Sequence, residues 1–274
     1  RYLKTGDPSW PLLFPMVKSA VKAMDAVEEF VAQQFGDEVD GYVITGASKR
    51  GWTSWLAPSV DKRIIGTAPV AIDVLNFQPQ MIRQLKSWGE FSEQIQDYTS
   101  KGLVKLENES AQERHLRVMM DPYTYHKQAP IPKLMVIATN DRYWVIDSLN
   151  IYWDELIGPK NVTYVPNTGH YLSGELVPVM KSISAFFRRV AADQPMPAFQ
   201  WKHDDTVDGY RLTITAEDLP RSARLWKAYS EDLDFRDAAW SSRRIQRDDN
   251  TFIAEVRKPK SGHMAFYATL YFRD

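Results

Sequence analysis

Three residues stand along this chain in an order that nucleophilic catalysis uses: Ser48, Asp141 and His170. A serine hydroxyl attacks a carbonyl when a neighbouring base takes its proton, and the base works when a carboxylate holds it in the right tautomer. The chemistry open to such a set is hydrolysis of an ester or an amide. Ser48 lies in the run Gly46-Ala47-Ser48-Lys49-Arg50-Gly51-Trp52, preceded by Tyr42-Val43-Ile44-Thr45. A β-branched strand, a tight turn with a serine at its tip and a following helix make a nucleophile elbow. The usual pattern puts glycine two places after the serine; here Arg50 fills that place and the glycine comes one later, at Gly51. The plainer reading is an ordinary strand-to-helix turn in which Ser48 caps the helix, a role serine favours anyway.

The base is the sharpest choice, because the chain has five histidines. His115 falls among inserted helices, His126 in a linker, and His203 and His263 in a C-terminal region of different texture. Only His170 follows a core strand, on a Gly-His turn. For the acid, Asp141 follows the strand that should supply it; Asp73 ends the preceding strand and Asp147 lies one turn further on. Asp141 is preferred over Asp73 on strand position. Lys49 and Arg50 fall in the first helical turn, where cations oppose the helix dipole at about 0.3–1 kcal/mol each. Two together suit the handling of an oxyanion or an anionic substrate, while the bland alternative has both reaching solvent. The Lys49 backbone N–H is the expected first oxyanion donor.

These residues need a scaffold. Apolar positions at helical spacing (Val17, Ala20, Val21, Met24, Val27, Val31) predict a helix over 15–35, closed by Gly36. Strands are expected at 41–45, 63–72, 133–139 and 161–165, and helices from the elbow to Leu56, over 145–156 and over 176–190. The last helix is expected to turn Val177, Met180, Ile183, Phe186 and Phe187 inward. Alternating strands and helices imply a parallel sheet with right-handed crossovers, and functional residues belong at the carboxyl ends of its strands. Ser48, Asp73, Asp141 and His170 all sit there. Residues 77–120 are too long for a loop and read as a helical insertion, a lid whose Trp88, Phe91 and Tyr98, with Asp73, would line a substrate cleft. The expected fold is α/β, an α/β-hydrolase-like sheet over 1–194 followed by a small all-β, sandwich-like region over 195–274 with strand-like runs at 210–215, 223–228, 251–256 and 264–272. One helix precedes the elbow strand. The early strands of a full hydrolase sheet, and the loop that gives the second oxyanion donor, are missing, so either the chain is the C-terminal part of such a fold or the fold is reduced.

Composition narrows the classes further. With 44% hydrophobic and 25% charged residues the chain is ordinary for a globular protein. A net charge of -1 gives no electrostatic case for nucleic acid. The absence of cysteine excludes disulfides, thiol nucleophiles and thiolate metal sites. No stretch is long and apolar enough to span a bilayer. The chain begins at Arg1 without a signal-like segment, which suggests a removed leader or a piece of something longer. The chemistry asks for no metal or organic cofactor, and the expected partner is a small-molecule or peptide substrate.

Several runs resemble the PhoPQ-activated pathogenicity-related protein family: Tyr2-Leu3-Lys4-Thr5-Gly6-Asp7, Ala23-Met24-Asp25-Ala26-Val27, Gly46-Ala47-Ser48-Lys49-Arg50-Gly51-Trp52-Thr53, Ile72-Asp73-Val74-Leu75-Asn76, Asp121-Pro122-Tyr123, Val165-Pro166-Asn167-Thr168-Gly169-His170 and Asp234-Phe235-Arg236. The resemblance covers essentially the whole chain. It implies an α/β-hydrolase fold, a secreted or periplasmic location and a longer N-terminus. A preceding segment or a partner chain is expected to complete the sheet, whose early strands are missing. It implies no substrate. The Ser-x-x-Gly elbow is also similar, locally, to that of glucuronoyl esterases, where a basic residue follows the serine. The triad serves peptidases too, so an aminopeptidase-like or dipeptidyl-peptidase-like activity stands beside the esterase reading. A hydrolase-fold binding or signalling protein without turnover is a third.

Overall fold

The computed structural model describes residues 1–273. Its centre is a parallel sheet in the order β1-β2-β3-β4, formed by Tyr42–Ala47 (β1), Ile64–Val70 (β2), Lys133–Ala138 (β3) and Lys160–Val165 (β4). Among the described residues seven α-helices accompany it: Tyr2–Thr5 (α1), Leu13–Phe35 (α2), Lys49–Leu56 (α3), Phe77–Trp88 (α4), Gln96–Thr99 (α5), Ala111–Met120 (α6) and Leu176–Ala191 (α7). All six residues of β3 are buried, because both faces of the sheet are covered. Successive side chains on a strand point to opposite faces. Leu134, Val136 and Ala138 accordingly meet Val179, Phe186 and Val190 of α7, whereas Met135 and Ile137 meet Trp55 of α3 and Met81 of α4. The fold is α/β-hydrolase-like, with the helical insertion expected over 77–120 realised as α4, α5 and α6. Among the described residues the outer edge of β1 has no partner strand.

A buried charge explains one local feature. Lys133, 2% exposed, opens β3 and points its ammonium at the carbonyls of Ala129 (2.8 Å), Ile131 (2.7 Å) and Ile157 (2.9 Å). Three acceptors satisfy its three donors, so the cation ties the loops before β3 and β4 together. Burial pulls its pKa down to about 8.

The C-terminal region consists of two antiparallel sheets. One joins Phe199–Thr206 (β5), Gly209–Ala216 (β6), Arg247–Asp248 (β9) and Thr251–Arg257 (β10) in the order β5-β6-β10-β9; the other joins Ser222–Ser230 (β7), Ser241–Ile245 (β8) and His263–Tyr271 (β11) in the order β11-β7-β8. Leu212, Ile214, Leu225, Ile245, Phe252 and Val256 share one core between them, which makes the pair a sandwich.

Two local expectations fail, each for a tertiary reason. The segment 145–156 is not a helix but two 3₁₀ turns, Ser148–Ile151 and Trp153–Glu155. Two glutamines of α4 take its neighbourhood's carbonyls: Gln84 Nε2 donates to Tyr143 O (2.7 Å) and Gln80 Nε2 to Ser148 O (3.3 Å). The helical spacing of Val145, Leu149, Tyr152 and Leu156 is real, but it reports burial alone. On α7 the buried residues are Val179, Phe186 and Val190, with Ile183 packed against the same cluster; of the predicted stripe Phe186 and Ile183 turn inward, whereas Val177 (67%), Met180 (59%) and Phe187 (50%) face outward. That helix is apolar on more than one face, so periodicity could not choose between two stripes of equal spacing.

Candidate active site

The loops after β1, β2, β3 and β4 carry Ser48, Asp73, Asp141 and His170 respectively. Ser48 sits at φ 54 and ψ −122, a sparsely populated backbone conformation for a residue with a side chain. Its N–H donates to Val70 O (2.9 Å), prolonging the β1–β2 ladder to the tip of the turn. Lys49 then opens α3, and its N–H has no acceptor within the helix.

The displaced glycine has a geometric cause. A Cβ on Gly46 would lie 2.7 Å from the Arg50 carbonyl oxygen, and a Cβ on Gly51 would lie 2.6 Å from Ile72 Cγ2 and 2.8 Å from Gly46 O. The helix therefore crosses the strand at positions 46 and 51, and both need to lack a side chain. Arg50 is exposed, so no glycine is needed at that position. Gly51→Ala should destabilise by about 1–3 kcal/mol, the usual cost of overpacking, read as a lowered Tm in thermal unfolding while Arg50→Ala leaves Tm nearly unchanged.

The structure brings Ser48, His170 and Asp141 into one hydrogen-bonded chain. His170 Nε2 lies 2.8 Å from Ser48 Oγ, and His170 Nδ1 lies 2.8 Å from Asp141 Oδ2. The Asp141 side chain is 2% exposed and that of His170 10%. Asp141 Oδ1 accepts from the Tyr143 backbone N–H at 2.8 Å, so both carboxylate oxygens are engaged. The Tyr143 ring lies against the imidazole, with centroids 4.1 Å apart. Sequence reasoning missed Tyr143; its only signal was an aromatic residue two places after Asp141. The remaining histidines have other company: His115 bonds to Tyr2, His126 stacks on Tyr123, and His203 packs near Phe266, while His263 pairs with Ser230 in the β7–β11 ladder.

The other expected site residues are placed differently. Lys49 and Arg50 are exposed, and among the described residues neither forms an ion pair. Asp73 lines no open cleft; it is 1% exposed, and both its oxygens are buried without a hydrogen-bond partner. The Tyr152 hydroxyl and the Leu149 backbone approach it without closing a well-formed bond. Burial, with the charge of Asp141 adding to it, pushes the Asp73 carboxyl up to about 7. Trp88 is half-buried under the guanidinium of Arg236, 4.4 Å from it, at the junction with the sandwich. Tyr98 packs against the cluster around Trp55 and Tyr152, and burial raises its pKa. The insertion also grips the loop that carries Asp141: besides the Gln84 bond, Ser92 Oγ donates to Arg142 O (2.5 Å), and Ser92 N–H is itself held by Gln84 Oε1 (3.0 Å). The part expected to be a lid is thus, around residues 84–92, a buttress behind Asp141.

The family model of the PhoPQ-activated pathogenicity-related proteins matches residues 1–236. A curated relative, the autocrine proliferation repressor protein A of Dictyostelium discoideum, is 34% identical over 240 residues, covering 85% of this chain and 48% of that protein. The chain thus spans about half the length of that relative. Solved structures with partial similarity include an acylaminoacyl peptidase of Pyrococcus horikoshii (14% identity, TM-score 0.42, 61% of this chain and 26% of that one) and Est1E of Butyrivibrio proteoclasticus (14%, 0.45, 66% and 71%). An acetyl xylan esterase from Paenibacillus sp. R4 is 18% identical at TM-score 0.43, covering 61% of this chain and 50% of that one. No helix among the described residues is long and apolar enough to cross a membrane.

Proposed function

The chain belongs to the PhoPQ-activated pathogenicity-related protein family, and from that membership together with the site geometry we propose that it is a serine hydrolase cleaving an ester or an amide. The observation that carries the reading is the Ser48–His170–Asp141 chain, with both links at 2.8 Å. Ser48 Oγ attacks the carbonyl carbon while His170 Nε2 takes its proton. The tetrahedral intermediate collapses as the imidazolium returns that proton to the leaving alcohol or amine. Water then repeats the sequence on the acyl-enzyme, with His170 again as base, and releases the acid. Asp141 holds His170 with Nδ1 protonated and steadies the imidazolium. The Lys49 N–H, at the positive end of α3, is a donor to the oxyanion. A segment pairing with the open edge of β1, from a longer polypeptide or a partner chain, would supply the second donor. Lys49 and Arg50, exposed and without carboxylate partners, would draw substrates with a negative group beside the scissile bond. The family resemblance favours a secreted or periplasmic setting.

The test is covalent labelling of the full-length protein with a fluorophosphonate probe. The expected result is a single adduct on Ser48 that disappears in Ser48→Ala; equal labelling of that variant would sink the reading. A panel of neutral and carboxylate-bearing p-nitrophenyl esters and dipeptide amides then separates esterase from peptidase and measures the preference for anionic substrates. A second reading has its own support: the curated relative is named as an autocrine repressor of proliferation, so a hydrolase fold used as an extracellular signal without turnover fits the family. Complete silence of the folded wild type toward the probe would favour it.

A further inference from the structure

The two loops that carry Asp141 and His170 each have an asparagine whose side chain ends on one short segment of the C-terminal sandwich. Asn140 Nδ2 donates towards the carbonyls of Phe235 (3.3 Å), Arg236 (3.2 Å) and Ala238 (2.8 Å). Asn167 pairs with the backbone of Trp240 in both directions: its Nδ2 donates to Trp240 O (2.9 Å) and its Oδ1 accepts from Trp240 N–H (2.7 Å). Thr139 joins the two loops. Its hydroxyl accepts from Asn167 N–H (2.9 Å) and donates to Asn140 Oδ1 (2.8 Å), while Asn140 N–H donates to Thr168 O (3.0 Å). One hydrogen-bonded chain thus runs from Asn167 through Thr139 and Asn140 to residues 235–240.

The segment at its end is itself held firmly. Phe235 (6% exposed) and Trp240 (5%) are buried in a cluster that includes Ile146 and Tyr267. Arg236 forks onto Asp234, reaches Glu93 of the insertion at 3.3 Å and covers Trp88. Arg142, next to the acid, reaches Asp237. Apart from Arg142, these anchors lie within the sandwich, on Ile146 or on the insertion, away from Ser48 and His170.

We propose that segment 235–240 of the sandwich is the positioning element of the active site: through Asn140 and Asn167 it holds the acid loop and the histidine loop in register. The sandwich is then part of the hydrolase machinery and not a separate binding module. Asn140 and Asn167 are positioning residues, since neither touches the reacting atoms. The proposal rests on the hydrolase reading for its kinetic consequences, though not for the geometry. A shift of about 1 Å in a catalytic group can cost around 10²-fold in rate, so loss of either clamp should act on turnover and not on substrate binding.

The test uses the full chain with Asn167→Gly and Asn140→Ala. Asn167 has φ 56, a left-handed conformation that glycine adopts freely, so Asn167→Gly removes the clamp without backbone strain. Two readouts are taken on protein shown to be folded by circular dichroism. The first is the far-downfield proton resonance of the His170 Nδ1–H bonded to Asp141, which needs no activity. The second is the rate of Ser48 labelling by the fluorophosphonate, with kcat and KM for p-nitrophenyl butyrate. The expected result is loss or broadening of the resonance and a fall of about 10–100-fold in labelling and in kcat at nearly constant KM. Val207→Ser, on the distant β5–β6 turn, should match wild type in both. Folded Asn167→Gly and Asn140→Ala proteins with the wild-type resonance and labelling rate would overturn the proposal; should Asn140→Ala fail to fold, Asn167→Gly decides alone. A wild type that shows the resonance but never labels overturns the hydrolase reading and leaves the positioning proposal to be judged on the resonance. A wild type with neither overturns both.

Discussion

Asp141→Asn should leave the protein folded and lower kcat by roughly 10⁴-fold, the scale on which a wrongly held imidazole tautomer acts. The substitution is isosteric at a side chain that is 2% exposed. The oxygen of the new amide can keep the bond from Tyr143 N–H that Asp141 Oδ1 accepts at 2.8 Å, and this fixes the amide's orientation. The amide nitrogen then takes the place of Oδ2 and presents a donor to His170 Nδ1. The imidazole answers by carrying its proton on Nε2, where it faces Ser48 Oγ and can no longer accept from it. Measured as the rate of fluorophosphonate labelling and as kcat on an activated ester, the loss should be in turnover, with KM little changed. Asp73→Asn is the companion experiment. If Asp73 were the acid, its variant and not that of Asp141 would lose the label; the geometry predicts that it labels at close to the wild-type rate, because Asp73 makes no bond to His170.

The order of these residues is legible in the sequence because it follows from topology. A parallel sheet places the ends of successive strands along one edge, so a serine, an aspartate and a histidine each following a strand are brought together by the same rule. Burial of the central strands is equally plain from the nearly all-apolar run at 64–72. Other features depend on contacts between segments far apart in sequence. The shift of glycine from position 50 to 51 reads as a defect in the motif, whereas the crossing of α3 over β1 puts positions 46 and 51 face to face and requires it. The failed helix at 145–156 is decided by Gln80 and Gln84, which stand 68 and 59 residues before the carbonyls they hold. Strands β5 and β8 are largely polar and exposed, Gln200 to Asp205 and Ser241 to Arg244, and so give no alternation to read. Asn140 and Asn167 look like turn residues, which they are; that both reach one loop of the sandwich is written only in the fold.

Asp73 should make the protein less stable as pH rises, and Asp73→Asn should abolish that dependence. A carboxyl whose folded pKa stands at about 7, against 3.8 for the exposed group, holds its proton in the folded chain over a range in which the unfolded chain has released it. The folded state then binds more protons than the unfolded one, and the linkage relation gives a stability that falls with increasing pH. The loss begins near the unfolded pKa, grows through the neutral range and is complete above the folded pKa. Each tenfold change in proton affinity corresponds to about 1.36 kcal/mol, so the displacement of this carboxyl amounts to up to roughly 4 kcal/mol at about pH 8. Burial is the main cause, since no donor closes a bond to either oxygen and Asp141 adds a like charge. An asparagine carries no charge to bury. Thermal unfolding of the two proteins between about pH 4 and pH 8 should therefore show curves that nearly coincide at the acid end and separate as the pH rises, with the variant higher in Tm by roughly 5 °C or more at the alkaline end. Parallel curves across that range would mean that the Asp73 carboxylate is solvated or paired in solution. Curves that separate in the opposite sense would mean that its ionised form is stabilised, and that a donor such as the Tyr152 hydroxyl closes on it.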